Sequence, residues 1–309
     1  MRTAIALTVS DLHLSHKPPI SRSTEPDWYK AQKRVLDQIG TIAEEHDVPI
    51  IYAGDIFDKP TQPVRMVNFA MINVPTGYAI PGQHDLPGHS LKRKMESAYG
   101  SLCINGNLID LDQKEPMTYY EGIAIHAFPW SESSGISTRA RIPNRLNLAV
   151  LHRYTWKPDH GYPGAEVSCL ASQQAKILRR FSDVAVFGDN HKGFIWKNKG
   201  FTICNNGAAI LRTIDQIDYE PCVSLIFDDG SVVRHALDTS EDVWIDRKAV
   251  RRMKKQADEI REFASQITGI TSDTLDFVKI VQEACRSEGV EPEIRQIIQE
   301  AIREYKSDG

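Results

Sequence analysis

The chain has 309 residues, 41% hydrophobic and 25% charged, with a formal net charge of −4 at pH 7. That composition fits a soluble globular protein and excludes a disordered or fibrous chain. It also excludes a globally basic protein, so any contact with nucleic acid must come from local patches.

Cys103, Cys169, Cys204, Cys222 and Cys285 are scattered, with no C-x-x-C pair. This speaks against a disulfide framework or a thiolate zinc site and suits a reducing compartment. The N-terminal apolar run is too short for a signal peptide. No stretch approaches the roughly 18–20 apolar residues of a membrane span. The expectation is a cytoplasmic protein without a membrane partner.

In chain order, Ala4–Val9 reads as a strand, Trp28–Glu45 as an amphipathic helix and Val48–Tyr52 as a second strand. Pro63–Ile72 reads as a helix and Tyr78–Ile80 as a third strand. This rhythm predicts a sheet with helices on its faces. From about Leu108 strands predominate: Thr118–Tyr120, Ile123–Ala127, Leu146–Leu151, Val184–Phe187, Phe194–Trp196 and Phe201–Cys204. Val223–Phe227 and Val232–His235 flank Asp228-Asp229-Gly230, a hairpin signal. The predicted fold is α/β, with two sheets packed face to face and flanked by helices. After about Asp238 the chain turns charged and amphipathic, with helices expected over Arg247–Ile267, Asp273–Arg286 and Pro292–Lys306. The expected organisation is a main domain over 1–238 and a C-terminal helical appendage, a possible partner-binding segment, over 239–309.

Five short motifs follow or end predicted strands. Asp11-Leu12-His13 comes after the first; residues two apart on an extended chain share a side, so both can reach one ion. Gly54-Asp55-Ile56-Phe57-Asp58 follows the second strand, where glycine permits a sharp turn and an aspartate can bridge two cations. In Pro81-Gly82-Gln83-His84-Asp85, Gln83 offers an amide oxygen and His84 a proton donor. His152 ends one later strand, and Gly188-Asp189-Asn190-His191 follows another. Alone, each is explained as well by a solvated turn, a helix cap or a hydrogen-bonded histidine. Together they form an aspartate, imidazole and amide set without thiolate, which suits manganese, iron or zinc. Open α/β sheets gather their sites beyond the carboxyl ends of strands.

The ordered set resembles the calcineurin-like metallophosphoesterase superfamily, whose motifs run D-x-H, G-D-x-x-D, G-N-H-D/E, a strand-end H and G-H-x-H. Two positions depart: Gln83 stands for the usual asparagine and Asp189 for the first histidine of the last motif. The resemblance implies two divalent ions, Mn2+ foremost, with Fe2+, Mg2+, Co2+ and Zn2+ as alternatives. One would sit on Asp11, His13, Asp55 and His191, the other on Asp55, Gln83, His152 and Asp189. It implies in-line attack of an activated water on phosphorus, with no covalent intermediate. His84 would stabilise the transition state or protonate the leaving group, and Asp58 joins it as a catalytic candidate.

Within the superfamily the chain is most similar to SbcD-type DNA repair nucleases, phage versions included. The similarity lies in Ser10-Asp11-Leu12-His13-Leu14, Gly54-Asp55-Ile56-Phe57-Asp58, Ile80-Pro81-Gly82-Gln83-His84-Asp85, and Asn205-Asn206-Gly207-Ala208 before Arg212. This implies DNA as substrate, an SbcC-like coiled-coil ATPase partner docked on the C-terminal helices, and a homodimer through Pro63–Met71. Arg153, Lys192 and Tyr154 are the substrate-binding candidates. Lys92-Arg93-Lys94, Arg139, Arg141 and Arg145 are further cations to meet phosphates, and Trp156 a further stacking ring. The alternatives are a phosphodiesterase or phosphatase acting on small nucleotides, and a non-catalytic scaffold on the same fold.

Overall fold

The computed structural model describes residues 2–111, 117–119 (as backbone), 122–130, 136, 139–246 and 248–249. The chain divides into compact units Met1–Val250 and Arg251–Gly309. The helices expected over Asp273–Arg286 and Pro292–Lys306, and nearly all of the one expected from Arg247, lie outside the described residues. Among the described residues no helix is long and apolar enough to cross a membrane.

The first unit holds two six-stranded sheets. In one, β1 (Ala4–Val9), β2 (Ile50–Ala53), β3 (Gly77–Ile80) and β4 (Leu108–Asp110) run parallel, in that order. β11 (Cys222–Phe227) and β12 (Val232–Ala236) complete its other edge as an antiparallel hairpin. The second sheet runs β5 (Met117–Tyr119), β6 (Ile123–Phe128), β7 (Leu146–His152), β8 (Val184–Gly188), β10 (Phe201–Asn205) and β9 (Phe194–Asn198). There β6, β7, β8 and β10 are parallel.

The period-two alternation of side chains sorts the core into layers. On β1 and β2, Leu7, Val9, Ile50 and Tyr52 pack outward against α1 (Trp28–His46) and α2 (Val64–Asn73). Their neighbours Ala6, Ile51 and Ala53 face the second sheet, where they meet Leu148, Val150, Val184 and Val186. The alternate residues Ala149, Leu151, Ala185 and Phe187 face away, toward α4 (Ala171–Leu178). Strands buried on both faces read as unbroken apolar runs, and these do.

α1 begins at Asp27, whose side chain accepts from the Lys30 amide at 3.1 Å. Its face Val35, Leu36, Ile39 and Ile42 is buried at helical spacing. β4, α4 and α3 (Ala98–Asn105) were not anticipated. α3 and α4 are each eight residues long, too short for a helical period to stand out. Residues beyond Asp238 continue along the first unit: Asp242 pairs with the buried Arg22 at 2.8 Å, and the Ile245 amide donates to Ser21 at 3.0 Å.

Candidate metal centre

The carboxyl ends of β1, β2 and β3 in one sheet face those of β7 and β8 in the other. The loops after β1 and β2 run side by side as an extension of the parallel pair. The Asp11 amide donates to Gly54, the His13 amide to Asp55 and the Leu14 amide to Ile56, at 3.0, 3.0 and 2.8 Å. Asp11, His13, Asp55 and Asp189 all have positive φ, at 53°, 47°, 54° and 86°. Such backbone costs about 1–2 kcal/mol per residue, and the loop-to-loop hydrogen bonds hold it. The expectation that Asp11 and His13 share a side through strand alternation is therefore not met. Left-handed turns at both positions bring them together, with His13 Nε2 3.9 Å from Asp11 Oδ1.

Five expected ligands, Asp11, His13, Asp55, His152 and His191, are brought into one place from distant strands. His13 Nε2 lies 3.7 Å from Asp55 Oδ2, and His152 Nε2 lies 3.4 Å from the same oxygen. His191 Nε2 lies 3.8 Å from Asp11 Oδ1 and 3.0 Å from His13 Nε2. Gln83 reaches the same cluster through Asp189, donating from Nε2 to Oδ1 at 2.8 Å. Glycines keep the approach open: a Cβ on Gly54 would lie 2.1 Å from His152 Nδ1, and one on Gly82 2.1 Å from Asp55 Oδ1.

His152 donates from Nδ1 to the Ala53 carbonyl at 2.7 Å, which turns Nε2 toward Asp55 and makes it the ring atom that would ligate once its proton is lost. His152 Nε2, Asp55 Oδ2 and Gln83 Oε1 are buried and lack a hydrogen-bond partner among the described residues. Buried polar atoms are nearly always satisfied, and three orphans in one cluster are what a cation would satisfy. Three sets, Asp11/His13/His191, Asp11/Asp55/His152 and His13/Asp55/His84, each bring donor atoms within 4.8 Å of one another. The donors thus fit two divalent cations, with Asp11, His13 and Asp55 each common to two sets.

The electrostatics carry the same message. Burial pushes the Asp11 carboxyl up to about 6, against the pull of His191 and His152. Burial drives His13 well below its ordinary value, so the ring is neutral and ready to ligate. Burial also opposes a charge on His152, but the facing Asp55 carboxylate overrides it and lifts the imidazole to about 10. Asp55 is held well below the carboxylate range despite its burial, chiefly by His152. A compact group of buried carboxylates and imidazoles that trade protons in this way is a functional-site signature.

A sequence profile of the calcineurin-like phosphoesterases matches residues 6–193. The chain belongs to this family. No curated protein matches it. Among solved structures, a calcineurin-like phosphoesterase from Bacillus subtilis, YfkN, is 12% identical with a TM-score of 0.48, over 84% of this chain and 98% of that one. A dimetal phosphatase from Danio rerio is 11% identical with a TM-score of 0.47, over 77% and 100%. An archaeal phosphodiesterase is 12% identical with a TM-score of 0.39, over 77% and 100%.

The family makes the chain a metal-dependent phosphoester hydrolase. Bound ions would polarise phosphate oxygens and supply a nucleophilic water. The phosphoesterase's own contribution is visible in His84, which is exposed and donates from Nδ1 to the Asp58 carbonyl at 3.0 Å. That bond fixes the tautomer and leaves Nε2 to face substrate. Asp58 enters no ligand set. Its Oδ1 accepts from Gln62 at 2.6 Å and its Oδ2 lies 3.4 Å from Arg212, so it positions His84 through its backbone.

Of the substrate-binding candidates, Tyr154 and Lys192 line a cleft adjoining the centre, while Arg153 is partly buried, and that burial lowers its pKa. Trp156 is engaged through Nε1 with the Glu166 carbonyl at 2.9 Å. Two residues of the third and fifth motifs had been given no role. Asp85 is fully buried and accepts from the amides of Ile56, Phe57 and Gly82 at 3.2, 3.0 and 2.9 Å, tying the β2 and β3 loops together. Asn190 donates to the carbonyls of Thr155 and His160 at 2.7 and 3.2 Å, tying the β7 and β8 loops together. The available signal was an acidic residue three places after Gly82, a helix-start pattern.

Proposed function

We propose that this phosphoesterase cleaves DNA phosphodiesters, as a manganese-dependent exo- or endonuclease subunit working with an SbcC-like coiled-coil ATPase. The observation that carries this reading is the open rim of the centre. The His191 side chain is 43% exposed and His84 is exposed beside it, so a strand can lie across the ligands without threading a tunnel. The motif order from Ser10 to Arg212 supports the same substrate. A homodimer through α2 belongs to this reading, because Val64 and Ile72 on that helix face solvent.

The charge pattern favours a second reading, hydrolysis of small nucleotides. Three cations expected to meet duplex phosphates already have carboxylate partners: Arg93 with Glu96, Lys94 with Asp110 and Arg141 with Asp183. Exposed pairs are weak and yield to a polyanion, but they reduce the local positive field.

Purified protein with added Mn2+ is to be assayed on single-stranded DNA, duplex DNA and bis-p-nitrophenyl phosphate, with Asp55→Asn as the control that weakens both ions. DNA cleavage lost in Asp55→Asn supports the nuclease. Hydrolysis of the small ester alone, even with the ATPase present, gives the second reading. Inertness on every phosphoester returns the protein to the scaffold class.

A further inference from the structure

Beside the metal centre lies an open cleft of about 480 Å³ that shares Asp189 and His191 with it. That volume is within the ~300–1,000 Å³ range of small-molecule sites. Tyr154 and Tyr162 line it, their ring centroids 4.9 Å apart, and the Tyr154 hydroxyl accepts from the Tyr162 amide at 3.2 Å. Asp159, Asp215 and Asp218 also line it, against the single cation Lys192. Asn190 bonds to both sides, so the tyrosine-bearing loop and the ligand-bearing loop hold one another in place. His160, also on the wall, has a buried Nδ1 without a partner among the described residues.

A phosphodiester seated on the ligands has two ester arms, and one must enter the space next to Asp189 and His191. The walls specify what that arm can be. Aromatic rings stack on a planar base at little cost in sequence preference. Carboxylates accept hydrogen bonds from base amines and sugar hydroxyls. The same carboxylates repel a second phosphate. A polyanionic strand running through this cleft would meet acids where it needs bases.

We infer that the cleft is a nucleoside subsite, which takes an uncharged sugar and base on one side of the scissile phosphate and rejects a further phosphate there. This rests on the phosphodiesterase reading of the centre. The consequence is directional: the enzyme releases a terminal nucleoside unit, and the rest of any strand leaves on the side away from this cleft.

The test compares the dinucleotide TpT with its two singly phosphorylated forms, pTpT and TpTp, with bis-p-nitrophenyl phosphate as the reference ester. One phosphorylated form should show kcat/KM about tenfold below TpT and the other should not, as charge repulsion in one arm predicts. Asp159→Asn with Asp215→Asn should shrink that penalty at least about threefold. Tyr162→Ala should lower the TpT to bis-p-nitrophenyl phosphate ratio about tenfold, the scale of a lost stacking partner. Ratios taken within one preparation cancel any loss of folded fraction. Equal rates for all three dinucleotides, equal slowing of both phosphorylated forms, or an asymmetry unmoved by the aspartate variants would overturn the subsite while leaving the phosphodiesterase intact. Failure to hydrolyse even the reference ester would instead remove the phosphodiesterase reading, and the subsite with it.

Discussion

Gln83 donates from Nε2 to Asp189 Oδ1 at 2.8 Å, so the two positions at which this chain departs from the family's motif series touch one another. The glutamine's longer arm reaches across to a carboxylate that a histidine would not have offered. Its Oε1 is left buried and without a partner among the described residues, free to ligate. The two departures therefore act as one replacement. Gln83→Asn and Asp189→His should each weaken the Mn2+ site expected on Asp55, Gln83, His152 and Asp189 about tenfold, whereas the double variant should recover most of the loss. The expected coupling is on the order of 2–3 kcal/mol, the upper part of the range for residues in direct contact. Calorimetric titration of Mn2+ into the four proteins measures it, and strictly additive losses would defeat the idea.

His84 poses a separate question, because its ring also falls within ligand distance of His13 and Asp55. Its exposed position and its Nδ1 bond to Asp58 argue for proton transfer to a leaving oxygen. His84→Ala should keep its metal content while losing about 10²-fold or more in turnover, the usual scale for a lost acid–base group. Elemental analysis beside a kcat measurement separates the roles. Emptied metal sites would make His84 a ligand instead.

Much of this site is legible in the sequence, because each motif sits where an apolar strand runs out. Val48–Tyr52 to Gly54-Asp55 and Leu146–Leu151 to His152 needed only the end of a strand and the chemistry of its next residues. The backbone at Asp11, His13, Asp55 and Asp189 was not legible, since left-handed conformations at aspartate and histidine leave no pattern in composition. The contact between Gln83 and Asp189 was equally hidden: it joins residues 106 apart across two sheets. β4, with three residues of mixed burial, carries too little periodicity to be seen.

The acid–base state of the centre predicts how it responds to pH. Without metal, Asp11 sits at about 6, above its ordinary 3.8, because it is buried. Its folded pKa is raised, so its contribution to the metal-free fold is complete below about pH 4 and is lost as pH rises through about 6. Cation binding requires the carboxylate, and the dependence reverses. Mn2+ affinity should fall by roughly tenfold per pH unit through neutrality, where a proton on His152 competes, and by roughly a hundredfold per unit below about 6, where a proton on Asp11 competes as well. His152, at about 10, must give up its Nε2 proton to ligate, so binding at neutral pH should release about one proton to buffer. Titration in buffers of different ionisation enthalpy reads both effects. An affinity constant from pH 5 to 8 with no proton release would contradict the assignment.

Asp85 provides a test that leaves the ligands untouched. Burial and the neighbouring Asp55 carboxylate push its pKa up to about 7, against three backbone N–H groups that stabilise the charged form. Asp85→Ala orphans those donors in a dry interior, at about 1–3 kcal/mol for each group left unsatisfied. Two of them, on Ile56 and Phe57, directly follow the candidate ligand Asp55, so the loss should reach metal binding as well as the fold. The expected result is a drop of about 3 kcal/mol or more in unfolding free energy and weaker binding of both ions. Asp85→Asn, which keeps one acceptor oxygen, should fall between. Denaturant unfolding of the metal-free proteins gives the first quantity and Mn2+ titration the second. Intact affinity in a destabilised Asp85→Ala would show that the clamp holds the loops together without setting the geometry of the ligands.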